Sequence, residues 1–239
     1  MGIIAKPHGL SKDPFEVLGK PTLFFGLAAG NMDSMGNRYT ADRRLRHNDA
    51  YTPDGARGKR PDRSVMVYSQ RVREAYKGVP VIIGGIEASL RRIAHFDYWQ
   101  EKVRRSVLPD SKADILLFGN AERAIVELTH RLAGGEAIGD ITDLRGTAVM
   151  RHTVPADYTL IDSSEIDEPG EIHPEPSPYQ DTTKTTACAD QQAQGDQATV
   201  EQPQHQVLKF ERRPRGLDRG LTAVRLPSFE QVKSDPVLY

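Results

Sequence analysis

The sequence predicts an α/β domain built on an open parallel sheet flanked by helices. Three observations carry that expectation. Short runs rich in β-branched and aromatic residues alternate with helical patterns over residues 1–155, the signature of strands joined by crossover helices. The middle runs are apolar at successive positions, which suits strands buried on both faces. Glycines follow those runs directly, where a chain leaving a buried strand has to turn sharply.

Taken in order, strands are expected at residues 3–5, 22–27, 79–83, 114–118 and 147–150. Between them, Val65, Tyr68, Val72, Ala75 and Tyr76 recur at helical spacing, and Gly78 closes that helix before Val79-Pro80 opens the next strand. Ile125, Leu128 and Leu132 form a second stripe, with Gly134-Gly135 as its stop. Both stripes read as core.

The chain has 239 residues, 38% of them hydrophobic, and a formal net charge of −1. That is enough to bury one ordinary core. No apolar run is long enough to span a bilayer, and the apolar start is too short for a signal peptide, so a cytoplasmic protein without a membrane partner is expected. The average charge conceals segregation. Residues 38–73 carry ten Lys and Arg against four Asp, whereas residues 156–206 carry eleven acidic residues against Lys184 alone. The acidic segment is rich in Pro, Gln, Thr and Asp, with almost no apolar period, so it is expected to be a disordered linker. Residues 207–239 regain apolar character but are too few to fold alone; they read as the start of a following region.

In an open parallel sheet, ligands bind beyond the carboxyl ends of the strands. The loops there place Gly30 and Asn31 after the second run, Gly84, Gly85, Glu87 and Ser89 after the third, and Gly119 and Asn120 after the fourth. These residues either serve the strand-to-helix turn alone or line a binding crevice, because the glycines let backbone approach a ligand closely. Neither a dinucleotide fingerprint nor a P-loop is completed. Glu87 and Glu122 fall just inside presumed helix starts, where the dipole favours a carboxylate without any catalytic duty. His47 and His95 lack a second histidine at metal-ligand spacing, so no metal site is expected. Trp99, with Phe96 and Tyr98, reads as a packing cluster.

The basic stretch raises a rival reading, a stand-alone α/β module that binds a phosphate-bearing ligand or nucleic acid through its basic loops. Asp42, Asp49, Asp54 and Asp62 interrupt the stretch, however, which favours internal Arg–Asp pairs ordering a long loop, or docking onto another domain, at least as readily as a polyanion site. Cys188 is the single cysteine. It reads as an incidental thiol, and no catalytic residue or resident cofactor is expected.

The wording of the loops adds a resemblance. Leu23-Phe24-Phe25-Gly26, Ala29-Gly30-Asn31-Met32-Asp33-Ser34-Met35, the stretch Asn37-Arg38-Tyr39-Thr40-Ala41-Asp42-Arg43-Arg44-Leu45-Arg46-His47 and Gly58-Lys59-Arg60-Pro61-Asp62-Arg63 resemble the N-terminal region of YgiQ-type radical SAM proteins. So do Gly84-Gly85-Ile86-Glu87-Ala88-Ser89-Leu90-Arg91-Arg92, Phe118-Gly119-Asn120 and, beyond the linker, Leu226-Pro227-Ser228-Phe229-Glu230. The resemblance implies a Rossmann-like domain similar to cobalamin-binding modules, followed by a radical SAM barrel carrying a 4Fe–4S cluster and S-adenosylmethionine. The barrel is then the implied partner. The Asp-x-His-x-x-Gly phrase that ligates cobalamin is absent, which counts against cobalamin itself. Relative to the family, the chain is expected to begin after the first strand and helix and to stop before the barrel.

Overall fold

The structure, a computed structural model, describes residues 1–49, 51–165, 218 and 220–238. The linker expected at 156–206 therefore lies outside the described residues from 166 onward, as does Cys188. Residues Met1–Pro155 with Pro227–Tyr239 form one compact unit, and Ala156–Leu226 a second.

In the first unit, β1 (Phe25–Ala28), β2 (Val81–Gly84), β5 (Ile115–Leu117) and β6 (Thr147–Val149) make a sheet in the order β1-β2-β5-β6. β1, β2 and β5 run parallel, with Ala28 opposite Gly84 and Ile83 opposite Leu116. A short α1 (Asp13–Glu16) precedes β1; between β1 and β2 the chain forms α2 (Ser34–Arg38) and α3 (Ser64–Ala75), and between β2 and β5 it forms α4 (Gly85–Leu90), a hairpin of β3 (His95–Asp97) and β4 (Lys102–Arg104), and α5 (Val107–Ser111). α6 (Glu122–Ala133) follows β5.

Alternation along the buried strands feeds two cores. Val81, Ile83 and Leu116 pack with Val65, Tyr68, Val72, Val107 and Leu108 on one face. Ile82, Ile115 and Leu117 pack with Ala124, Leu128, Ile141 and Leu144 on the other. Both helical stripes expected from sequence are core, and Gly134 caps α6 as its stop signal requires.

Three expectations need correction. Residues 3–5 form no strand: Ile3 is exposed, and what secures the amino-terminal stretch is the Tyr68 hydroxyl donating to the Pro7 carbonyl (2.9 Å) and Arg71 donating to the Gly9 carbonyl (2.9 Å). The sheet is mixed rather than wholly parallel. After α6, Ile138, Ile141 and Leu144 are drawn across the second core and return the chain to the carboxyl end of β5, so β6 pairs with it antiparallel. The strand expected at 22–27 starts only at Phe25, whose N–H meets the Pro80 carbonyl at 2.9 Å.

The β3–β4 hairpin was not anticipated as such. Its turn carries Trp99, which lies edge-on to Tyr98 with ring centroids 5.7 Å apart, while Phe96 is exposed. Farther along, Ser228 and Gln231 form a reciprocal capping box that starts α7 (Phe229–Ser234), a helix that packs on β4 and buries Val232. In the second unit, β7 (Thr159–Asp162) pairs parallel with β8 (Thr222–Arg225).

Candidate functional site

The carboxyl ends of β1 and β2 are brought together by a glycine. Gly85 has φ +78°, and a Cβ placed on it would stand 3.3 Å from the Ala28 Cβ and 3.7 Å from the Gly30 carbonyl. A side chain there is strained by the backbone and crowded by β1. With glycine in place, α4 starts directly against the end of β1, and its third residue, Glu87, points inward.

Glu87 is 1% exposed, the most deeply buried acid among the described residues. Its Oε2 accepts from the Ser34 N–H (3.2 Å) and, closely, from the Ser34 hydroxyl; its Oε1 accepts from the Val65 N–H (3.2 Å). The Ser34 hydroxyl oxygen in turn accepts from the Ser64 N–H at 3.3 Å. One carboxylate thus satisfies orphan donors at the starts of α2 and α3, a role different from the dipole of its own helix that sequence alone offers. Asp33 completes the start of α2 by accepting from the Met35 N–H (3.0 Å) and holds Arg91 from the end of α4 at 2.5 Å. Burial pushes the Glu87 carboxyl above the usual glutamate range; the Ser34 hydrogen bond and Arg91 oppose this, while Asp33 adds to it.

The other sequence-selected residues divide. Gly30 and Gly84 sit with Gly85 at this junction, and Asn31 is exposed on the same loop. Ser89 spends its hydroxyl on the Gly85 carbonyl one helical turn back (2.8 Å). Gly119, at φ +66°, and Asn120 are exposed after β5, where the Arg92 guanidinium lies 5.1 Å from the Phe118 ring centroid. Glu122 is exposed at the start of α6. Asp33, Ser34 and Arg91 were not singled out from sequence, although an Asp-Ser pair ahead of a helical run is a capping signal.

Part of the basic stretch is engaged by acids. Arg38 pairs with Asp62 (2.9 Å), Arg60 forks onto Asp49 (2.9 and 3.0 Å), Arg63 grips Asp97, and Arg43 reaches Glu101 (2.5 Å) over the Tyr98 ring. Asp49 and Asp62 thus form internal Arg–Asp pairs of the kind the interleaving predicts, while Arg44, Arg46, Arg57 and Lys59 stay exposed. Burial alone would raise both Asp49 and Asp97. The Tyr51 N–H and Arg60 hold Asp49 below the usual range, and Arg63 with the Gln100 N–H does the same for Asp97.

A family model described as Radical SAM N-terminal matches residues 1–239. The chain belongs to this family. A UPF0313 protein of Pseudomonas aeruginosa is 60% identical over 240 residues, covering all of this chain and 32% of that protein. The UPF0313 protein YgiQ of Escherichia coli is 56% identical, with all of this chain and 31% of its own length covered; a UPF0313 protein of Vibrio cholerae is 54% identical, with 29% covered. The radical SAM N-terminal chain thus spans about a third of the length of the curated relatives it matches. No solved structure matches it.

A cluster of the radical SAM kind is held by closely spaced cysteine thiolates. The chain's one cysteine cannot supply them, so its donor set does not fit that group. Among the described residues, no three His, Cys, Asp or Glu side chains stand together as a metal site, and no helix is long and apolar enough to cross a membrane.

Proposed function

We propose that this radical SAM N-terminal chain is an accessory domain of a cytoplasmic iron–sulfur protein whose 4Fe–4S cluster and S-adenosylmethionine belong to a barrel outside these residues. Its task is to cover that barrel or position substrate at it. The observation that carries the reading is an apolar rim at the carboxyl edge of the parallel strands. Met32 follows β1, and Ile86, Leu90 and Ile93 follow β2, all exposed beside the Gly30–Gly84–Gly85 junction. Such a rim, on the side where α/β sheets take their ligands, suits contact with another domain.

The finer likeness to Rossmann and cobalamin-binding modules rests on the parallel β1-β2-β5 arrangement with its crossover helices. Gly30, Asn31, Gly84, Gly85, Gly119 and Asn120 would then line the crevice facing the barrel.

Anaerobic reconstitution with iron, sulfide and S-adenosylmethionine tests this. The chain alone is expected to bind no cluster and release no 5′-deoxyadenosine, whereas the Pseudomonas aeruginosa relative does both. In that relative, aspartates at the positions matching Ile86 and Leu90 are expected to speed proteolytic release of its amino-terminal third. Turnover by the chain alone, or release unchanged by the aspartates, overturns the reading.

A further inference from the structure

We propose that a cavity between α2 and the loop over residues 45–61 is an anion site for a small phosphate-bearing molecule. The cavity measures about 290 Å³ and is walled by Arg38, Arg46, Arg57 and Arg60, with Asp49 as its acid. That is the lower end of the size range of small-molecule pockets.

The charges do not cancel. Asp49 is fully engaged: Oδ1 accepts from Asn37 (3.0 Å), the Tyr51 N–H (3.0 Å) and Arg60, and Oδ2 accepts from Arg60 Nε. Arg38 faces Asp62, which leaves Arg46 and Arg57 without a carboxylate partner among the described residues. Two unpaired guanidiniums on one wall match the two charges of a phosphate monoester, and their planar forks match its oxygens.

One arginine of the wall, Arg46, is held in advance. Among the described residues, Arg46 uses only Nε, donating to the carbonyls of Gly36 (3.2 Å) and Tyr39 (3.0 Å). Its two terminal nitrogens remain for a ligand, and the conformational cost of holding the side chain is met before the ligand arrives. Arg57 is exposed at the cavity, where Leu45 supplies an apolar edge for the organic part of such a molecule. A polymer would need the charge to continue past the cavity. The neighbouring Arg43 and Arg63 are tied to Glu101 and Asp97, which interrupts the basic surface beside the pocket, although Arg44 and Lys59 are exposed outside it.

The test is titration of the full chain with pyrophosphate at constant ionic strength, followed calorimetrically, for the wild type and for Arg57→Gln, Arg46→Gln and a distant control, Arg123→Gln. Loss of either pocket arginine is expected to weaken pyrophosphate about tenfold, the value of one charge-assisted contact, with the control unchanged. Arg46 also anchors a loop, so Arg57→Gln, which removes no bond among the described residues, is the deciding variant. Pyrophosphate that does not bind, binds all variants equally, or is outcompeted by a short single-stranded RNA at equal phosphate concentration overturns the assignment.

Discussion

Against one face of the sheet, α3 and α5 pack Val65, Val72, Val107 and Leu108, and beside them lies a buried carboxylate that ties three helices together. Against the other face, α6 packs Ala124 and Leu128 on Ile141 and Leu144, with no buried charge among the described residues of that core. The first face is specified by polar bonds that need one geometry, the second by volume alone. Polar specification is costly in a core unless every group is satisfied, so its presence on one side marks where the fold has been constrained beyond what stability requires. The arginine cavity opens off that same side, with Ser34 shared between its wall and the Glu87 network.

Leu128→Ala tests the apolar face and should have the largest effect. Removing this fully buried side chain is expected to cost about 3 kcal/mol in urea unfolding, with the cavity's affinity for pyrophosphate intact in the folded fraction. A loss below about 1 kcal/mol would show that the second core collapses to fill the gap.

Glu87→Ala comes next, at about 2 kcal/mol, because it strands the Ser34 and Val65 donors in the interior. Its isostere, Glu87→Gln, exposes the sign of the titration. The folded carboxyl is raised above its unfolded value, so the stability it contributes is fully present below the ordinary glutamate range and lost as pH rises through the folded value. The wild-type advantage over Glu87→Gln should therefore be greatest in acid and shrink as pH rises. A constant difference across that range would mean that the carboxyl titrates normally.

Asp49→Asn should have the smallest effect, about 1 kcal/mol, and the opposite slope. Asp49 is held low in the folded protein, so its contribution is present above the ordinary aspartate range and lost as pH falls through the folded value. Urea midpoints measured from acid to neutral pH for the two conservative variants should thus diverge from wild type in opposite directions. Parallel curves would erase the distinction drawn between the two carboxylates.

What could be read from the sequence follows how local its cause is. Val81–Ile83 and Ile115–Leu117 are legible because burial on both faces leaves an unbroken apolar run, and α3 and α6 because their stripes repeat every turn. Residues 3–5 mislead because Ile3-Ile4-Ala5 has strand composition but no neighbouring strand to pair with. The direction of β6 was hidden since Thr147-Ala148-Val149 looks the same read either way; the placement of Ile141 and Leu144 decides it. At the candidate site, Gly84-Gly85 and the inward Arg–Asp pairing were visible as residue types in sequence. The partners of Glu87 were not, because Ser34 and Val65 lie 53 and 22 residues away and no periodicity connects them.

The convergence on Glu87 also joins parts of the chain that are distant in sequence. The N–H groups of Ser34, Ser64 and Val65 all end on one linked pair of side chains, Glu87 and Ser34. The first turns of α2 and α3, separate in the chain, therefore share one polar anchor at the start of α4. Ser34 also lines the arginine cavity, so the same side chain belongs to both the carboxylate network and the cavity wall.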